Sequence, residues 1–395
     1  MDVFLYIDPN FNEDIGHYLT LRKNLLKECN DRQILFKHYV RKQIPKKTVE
    51  KYDLINVFTH KATINDSNLI KSNKIIKHFT NQFKLILEEA TYPNNPYQFT
   101  AIYFYTSHPL HVLAMAKALN GYDIKPGSIN IYTVLFYLNS NFLMGSNNNS
   151  YRVMLNQVSG ALEKEDKNHI INLFMDSAVG INAYQPYFKR QINKLPIPVY
   201  SDIPSLPQTQ PSDGVKPTIG YFGYATQKHA FDRLASFLNK LEDNNVFDKF
   251  NYILKIRDII DPEFEDAFNE IVIKYKDKKN VDLILENLQH RDYFEKLNEC
   301  DLVVIPYRKK YYTAQTSSLF VDALAHHKIV IVEKDTWMAD QLNYYGSGEV
   351  FDSTIERDFY NAFYKLIHYF TAVILGTRII YEMFNRLHCL HGNRF

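Results

Sequence analysis

The chain is expected to form two α/β domains, each a doubly wound parallel sheet, and three observations lead there. Between Thr218 and Glu333 short apolar runs alternate strictly with helix-length amphipathic segments. The stretch Lys194 to Pro217 holds six prolines among small polar residues and separates that region from the one before it. The length of 395 residues exceeds one ordinary core and suits two domains of about 200 residues each. Strict alternation of strand and helix implies parallel pairing, with helices covering both faces of the sheet. The boundaries read as 1–195 for the first domain, 196–217 for a linker, 218–357 for the second domain and 358–395 for terminal helices.

In the first domain VFLYI, KYDLINVF and TAIYFYTSH read as strands, and HYLTLRKNLLKECN and PLHVLAMAKALN as helices. In the second, the order is strand TIGYFGY, helix AFDRLASFLNKL, strand NYILKIR, helix PEFEDAFNEIVIKY, strand VDLIL, helix RDYFEKLNEC, strand DLVVIPY, helix SSLFVDALAHH and strand KIVIVE. Gly346 and Gly348 read as turn residues, and the aromatic-rich tail from Asp358 as helical. No period of 20 to 50 residues repeats, which sets aside a solenoid.

Hydrophobic residues make up 46% and charged residues 23%, with 29 Tyr and 27 Phe, a composition that excludes disorder. Cys29, Cys300 and Cys389 stand far apart with no CxxC pair, so neither a disulfide framework nor a zinc ribbon is expected, and a reducing cytoplasm fits. MDVFLYIDPN has no basic leader and reads as a first strand. The longest apolar runs, such as FTAVILG, fall short of the ~20 residues that a span needs. Residues 1–200 carry 23 Lys+Arg against 16 Asp+Glu, net +7, and residues 201–395 carry 23 against 28, net −5. A basic first domain favours an anionic acceptor, or peripheral contact with an anionic membrane surface at about 1 kcal/mol per basic residue near the lipid. A solvated basic face is the plain alternative. Nucleic-acid binding is not expected, because the aromatics follow strand and helix core patterns.

TSSLFVDALAHHKIVIVEKDTWMA, from Thr316, carries the most chemistry. Thr316, Ser317 and Ser318 suit a helix start that cradles phosphate oxygens at the positive end of the dipole. Asp322, within two turns of that start, is placed to accept both hydroxyls of a ribose. Ligands of such sheets gather at the carboxyl ends of the strands. There the loop from Gly223 to Lys228 offers close backbone approach and a cation for a diphosphate, and Arg257 is a second candidate cation. Tyr307 and Arg308 end a strand beside the same region. In the first domain His108 ends a strand before Pro109, a good first helical residue, and could meet a sugar hydroxyl. The terminal HCLH has the wrong spacing for a common zinc site, so no metal is expected there. No P-loop, GxSxG elbow or HExxH motif is present.

The pattern S-x-x-x-D-A-L-A-x-x-K-x-V-I at Ser318, Asp322, Ala323, Leu324, Ala325, Lys328, Val330 and Ile331 resembles the GT-B glycosyltransferases, in particular the retaining, GT4-like group. IGYFGYATQKHAFDRL and NVDLILENLQHRDYFEKLNECDLVVIPY extend the resemblance over roughly 140 residues, in the family's order. It implies a GT-B architecture, two Rossmann-like domains facing across a cleft, with the terminal helix crossing back onto the first. It also implies transfer of a sugar from a UDP- or GDP-linked donor to an acceptor hydroxyl, with retention, without cofactor or metal. On this resemblance Lys228, Arg257 and His108 are the catalytic candidates, and Gly223, Tyr224, Asn287, Leu288, Tyr307, Thr316, Ser317, Ser318 and Asp322 bind the nucleotide sugar. Asn287 and Leu288 lie beside the base, and Gly16 and His17 match the acceptor loop. The acceptor is a glycan, glycolipid or protein. Two departures stand out: Ala314 occupies the position of the first of two glutamates, and Tyr224 stands near an arginine's place. They leave open a catalytically idle nucleotide-sugar-binding protein, and the fold leaves open an epimerase or hydrolase.

Overall fold

The structure is a computed structural model that describes residues 1–11, 16–61, 72–135, 149–195, 216–345, 347–355 and 357–375. It divides into two compact units, Met1–Ser201 with Thr313–Thr316, and Asp202–Tyr312 with Ser317–Phe395.

The first unit is built on a seven-stranded parallel sheet of β1 (Asp2–Ile7), β2 (Leu35–Arg41), β3 (Leu54–Phe58), β4 (Gln98–Ser107), β5 (Asn130–Leu135), β6 (Ile171–Met175) and β7 (Ile192–Lys194). Its order is β3-β2-β1-β4-β5-β6-β7, so the direction of winding reverses between β1 and β4. Its helices are α1 (Gly16–Asp31), α2 (Lys46–Tyr52), α3 (Ser72–Thr91), α4 (Pro109–Leu119), α5 (Asn149–Glu165) and α6 (Ala178–Tyr184). One large core joins Val3, Leu5 and Phe104 of the central strands to Phe79 and Phe83 of α3, Leu113 of α4 and Leu155 of α5. Nearly every residue of α4 is buried, which explains its unbroken apolar sequence.

The second unit holds β8 (Thr218–Ala225), β9 (Asn251–Ile260), β10 (Val281–Ile284), β11 (Leu302–Ile305), β12 (Ile329–Glu333) and β13 (Gly348–Phe351). The order β10-β9-β8-β11-β12-β13 repeats the winding of the first sheet. Its helices are α7 (Phe231–Asp243), α8 (Glu265–Tyr275), α9 (His290–Glu299), α10 (Lys309–Tyr312), α11 (Ser318–Ala325), α12 (Trp337–Tyr345) and α13 (Asp358–Leu375). Among the described residues no helix is long and apolar enough to cross a membrane.

Several sequence expectations change. Lys51 and Tyr52 of KYDLINVF end α2, and only Leu54–Phe58 pair as a strand. β2, β5, β6 and β7 were not expected, because polar residues such as Lys37, His38 and Asn172 interrupt their apolar runs. Gly348 is not in a turn: it opens β13, where an added Cβ would lie 2.2 Å from the Val330 carbonyl, so the strand can approach β12 only with glycine there. The start of α13 packs in the second unit's own core, with Phe363 fully buried and its ring 4.8 Å from Phe237. The crossing back expected of the remaining tail, Gly346 and the HCLH segment all lie outside the described residues.

Candidate functional site

The site forms where β8 and β11 end. β8 stays paired with β9 through Tyr224↔Arg257, then shifts register before Ala225↔Ile260. Gly223 therefore lies inside the strand and not in the loop that was expected to start there. A Cβ on it would fall 2.5 Å from Tyr221 Oη, so the glycine makes room for that ring. The tyrosine in turn donates to the Tyr224 carbonyl at 3.1 Å.

Past the strand, Thr226 Oγ1 bonds His229 Nδ1 at 2.7 Å, and Ala230 takes a left-handed φ of 51° to enter α7. Arg308 locks the turn from outside: its Nε donates to the Gln227 carbonyl at 3.1 Å and an Nη to Asp232 at 2.6 Å. Arg308 is thereby a clamp on this turn. Lys228, held in this turn, places Nζ 5.1 Å from the centre of the Tyr312 ring. Tyr307 stands 4.9 Å from Tyr312 and 4.6 Å edge-on from His229, which lies 4.9 Å from Tyr224. Burial pushes the Lys228 pKa down, and burial, with Lys228 beside it, pushes His229 to about 3, so the imidazole is neutral. Among the described residues Lys228 forms no ion pair with a carboxylate. The result is one cation walled by aromatic rings.

α11 begins as the sequence suggests. Ser317 is the N-cap, its Oγ accepting the Phe320 N–H at 3.3 Å, and Ser318 is an exposed first residue. Asp322 is 6% exposed. Its Oδ2 accepts the Tyr293 hydroxyl at 3.3 Å, while Oδ1 has no hydrogen-bond partner. Burial raises its pKa to about 7, against the lowering effect of the tyrosine. The Tyr293 ring meets Phe222 edge-on at 5.6 Å, and the Phe222 carbonyl accepts the Tyr307 hydroxyl at 3.0 Å. Contacts thus run without a break from Lys228 through Tyr312, Tyr307, Phe222 and Tyr293 to Asp322. Below them, buried Glu333 ends β12 and bonds Arg233 at 2.9 Å and the Lys309 N–H at 2.6 Å, fixing the start of α10.

Other candidates stand apart. Thr316 belongs with the first unit, where it bonds Asp176, a carboxylate that burial raises to about 7. Asn287 is exposed and Leu288 half-buried in the link from β10 to α9. Arg257 lies in β9, and Gly16 and His17 open α1, but their side chains are outside the described residues. His108 is the N-cap of α4: its Nδ1 accepts the Leu110 N–H at 3.1 Å, its own N–H donates to His111 Nδ1 at 2.9 Å, and burial lowers it to about 3. Any ligand contact would have to come from Nε2. Ala314 is buried. Among the described residues no three His, Cys, Asp or Glu side chains gather as metal ligands.

Sequence reasoning missed Tyr293, His229 and Tyr312, whose roles arise from contacts across the fold. It also missed Asp8, a buried carboxylate just past β1 that Tyr6, Thr106 and the Asn10 N–H bond and that burial raises to about 7. An acid at a strand's carboxyl end was the available signal.

No family model and no curated protein matches the sequence. Solved structures do. Sucrose-phosphate synthase from Thermosynechococcus elongatus is 14% identical with a TM-score of 0.58, over 93% of this chain and 90% of that one. Anabaena HepE, solved with UDP and glucose, is 16% identical with a TM-score of 0.53, over 92% and 89%. A glycosyltransferase from Rickettsia africae is 13% identical with a TM-score of 0.55, over 95% and 89%. These neighbours are GT-B glycosyltransferases, and the present chain shares their fold, with two Rossmann-like sheets.

Proposed function

We propose that the protein is a glycosyltransferase that moves a sugar from a UDP- or GDP-linked donor to a hydroxyl of a glycan, glycolipid or protein, with retention and without a metal. The observation that carries this reading is Asp322: a buried carboxylate behind a serine-capped helix start, with one oxygen still lacking a donor. A ribose diol supplies the missing donor, and the diphosphate meets the α11 N-terminus and Lys228. In the transfer, the bond from the anomeric carbon to the phosphate oxygen breaks and a bond to the acceptor oxygen forms. The acceptor proton passes to the departing phosphate. Lys228 stabilises charge that grows as the diphosphate leaves, which is where such a cation lowers the barrier most. In the same reading the protein works in the cytoplasm, at most peripheral to a membrane.

A second reading, a nucleotide-sugar-binding protein without turnover, is favoured by Ala314, which puts a buried methyl where the resembling family carries a carboxylate. A thermal-shift panel of UDP, GDP, ADP, CMP and their sugar conjugates on the wild type and Asp322→Ala tests the site. One nucleotide should stabilise the wild type alone; no shift with any of them refutes the assignment. NMR of the product's anomeric proton then separates retention, inversion, hydrolysis and absence of turnover.

A further inference from the structure

The carboxyl ends of β2 and β3 carry a cluster of basic groups that the reading above does not use. The two strands are parallel neighbours, with Arg41 opposite Phe58, so residues 41–43 and 59–60 leave the sheet at the same edge. The Lys42 N–H donates to the Phe58 carbonyl at 2.7 Å and the Gln43 side chain to the Thr59 carbonyl at 3.2 Å, which ties the two exits together. His78 reaches this edge from α3. Its Nε2 accepts the Thr59 N–H at 3.3 Å, Thr59 Oγ1 bonds His60 Nδ1 at 2.9 Å, and the two imidazole centres are 4.4 Å apart. With Nε2 accepting, neutral His78 bears its proton on Nδ1.

Arg41 alternates onto the same face of β2 as Tyr39, whose hydroxyl donates to Glu89 of α3. Its Nε is buried without an acceptor. Elsewhere in this unit Lys37 is paired with Glu89 and Arg190 with Asp166, while Arg22 and Arg152, like Arg41, keep a buried Nε without an acceptor. Among the described residues Arg41, Lys42, His60 and His78 have no carboxylate partner. Burial lowers His78 to about 4, with the neighbouring His60 and Lys42 adding to the effect, so the edge repels further positive charge. A buried donor without an acceptor is unfavourable, and a convergent set of cations at the carboxyl edge of a parallel sheet is where an anionic ligand relieves both conditions.

We propose that this edge binds the phosphate of an anionic acceptor, with Arg41 and Lys42 supplying charge, His60 supplying an imidazole N–H donor, and His78, whose Nδ1 lies 3.3 Å from Thr59 Oγ1, holding the Thr59 turn in place. That the phosphate belongs to the acceptor rests on the glycosyl-transfer reading; the anion site itself does not. The net +7 of residues 1–200 draws such ligands toward this half of the chain.

The test is a titration of the full-length protein with inorganic phosphate, followed by the imidazole C2–H resonances, against sodium chloride at equal ionic strength. Phosphate should shift His60 and His78 saturably and raise the His78 titration midpoint, while exposed His169, just before β6, stays still. Lys42→Ala, at an exposed position, should weaken this binding about tenfold, as expected for one lost charge-assisted hydrogen bond. Equal shifts with chloride, or an unchanged titration in Lys42→Ala, overturn the site and leave a solvated basic face. Hexose 6-phosphate and phosphatidylcholine vesicles doped with phosphatidic acid separate the sources. Saturable competition by the sugar phosphate alone identifies a soluble acceptor, and vesicle co-sedimentation lost in Lys42→Ala identifies a lipid phosphate. UDP binding is measured on the same samples: loss of the phosphate effect with UDP binding intact rejects only this proposal.

Discussion

Asp322 poses a conflict between stability and binding that a single substitution can expose. Its pKa is raised to about 7 in the folded chain, so the folded state holds a proton that the unfolded chain has released. The associated stability is complete below the ordinary carboxylate range and is lost as pH rises through about 7. Asp322→Asn keeps the shape and removes the charge. It should stabilise the fold at pH 8 by on the order of 1–4 kcal/mol, read as a higher melting temperature, and change little at pH 4. Donor affinity should fall in the same variant, because an uncharged amide oxygen accepts the ribose hydroxyls more weakly than a carboxylate does. A variant no more stable at pH 8 than the wild type would show that the carboxylate is better solvated than its burial implies. Lys228→Ala bears on charge in the opposite sense: turnover should drop ~100-fold with donor affinity changed far less, as for removal of one group that meets transition-state charge. A loss of donor affinity with kcat unchanged would assign Lys228 to ground-state binding alone. Gly223→Ala should destabilise by about 1–3 kcal/mol, since Tyr221 must move to admit a methyl; chemical denaturation measures it.

At the scale of elements, α9 matters to α11 through one hydroxyl. Tyr293 holds Asp322 Oδ2 and is itself held edge-on by Phe222, so the carboxylate's direction depends on a helix that the resemblance gave no catalytic role. Tyr293→Phe keeps the packing and removes the bond. It should weaken nucleotide binding several-fold while the melting temperature stays close to that of the wild type; an affinity that survives would mean α11 alone orients Asp322. The sequence could show α11, its serine cap and its acid, because these follow from local spacing along one helix. It could not show Tyr293, His229 or Tyr312, since aromatic residues at those places read equally well as core. The misplacement of Gly223 has a similar origin: a glycine near a strand end signals a turn, and only the pairing of β8 with β9 shows that the strand runs two residues further. β2 was hidden because Lys37 is paired with Glu89, distant in sequence, and His38 is buried against the Tyr6 and Phe11 rings.

For the whole molecule, the alternation of strand and helix was legible wherever each strand is fully buried, as in β11 and β12, and faded in the first sheet, whose strands mix polar and apolar residues. Each sheet nevertheless builds its own core. The cluster around Ile219, Leu254, Phe231 and Phe237 draws all its members from the second unit, with α13 closing it through Ala362, Phe363 and Leu366. A fragment starting at Lys216 and running to the chain end should therefore fold cooperatively alone, because this cluster has no member among residues 1–215. It retains Lys228, Tyr307, Ser317, Tyr293 and Asp322, so it should keep nucleotide affinity within a few-fold of the full chain. It lacks the edge formed by Arg41, Lys42, His60 and His78, so phosphate should no longer bind and transfer to an acceptor should cease. Calorimetry of the fragment with and without nucleotide reads both claims: a cooperative transition shifted upward by the nucleotide is expected. A fragment that unfolds non-cooperatively, or folds without responding to any nucleotide, would place the donor site's integrity outside the second sheet.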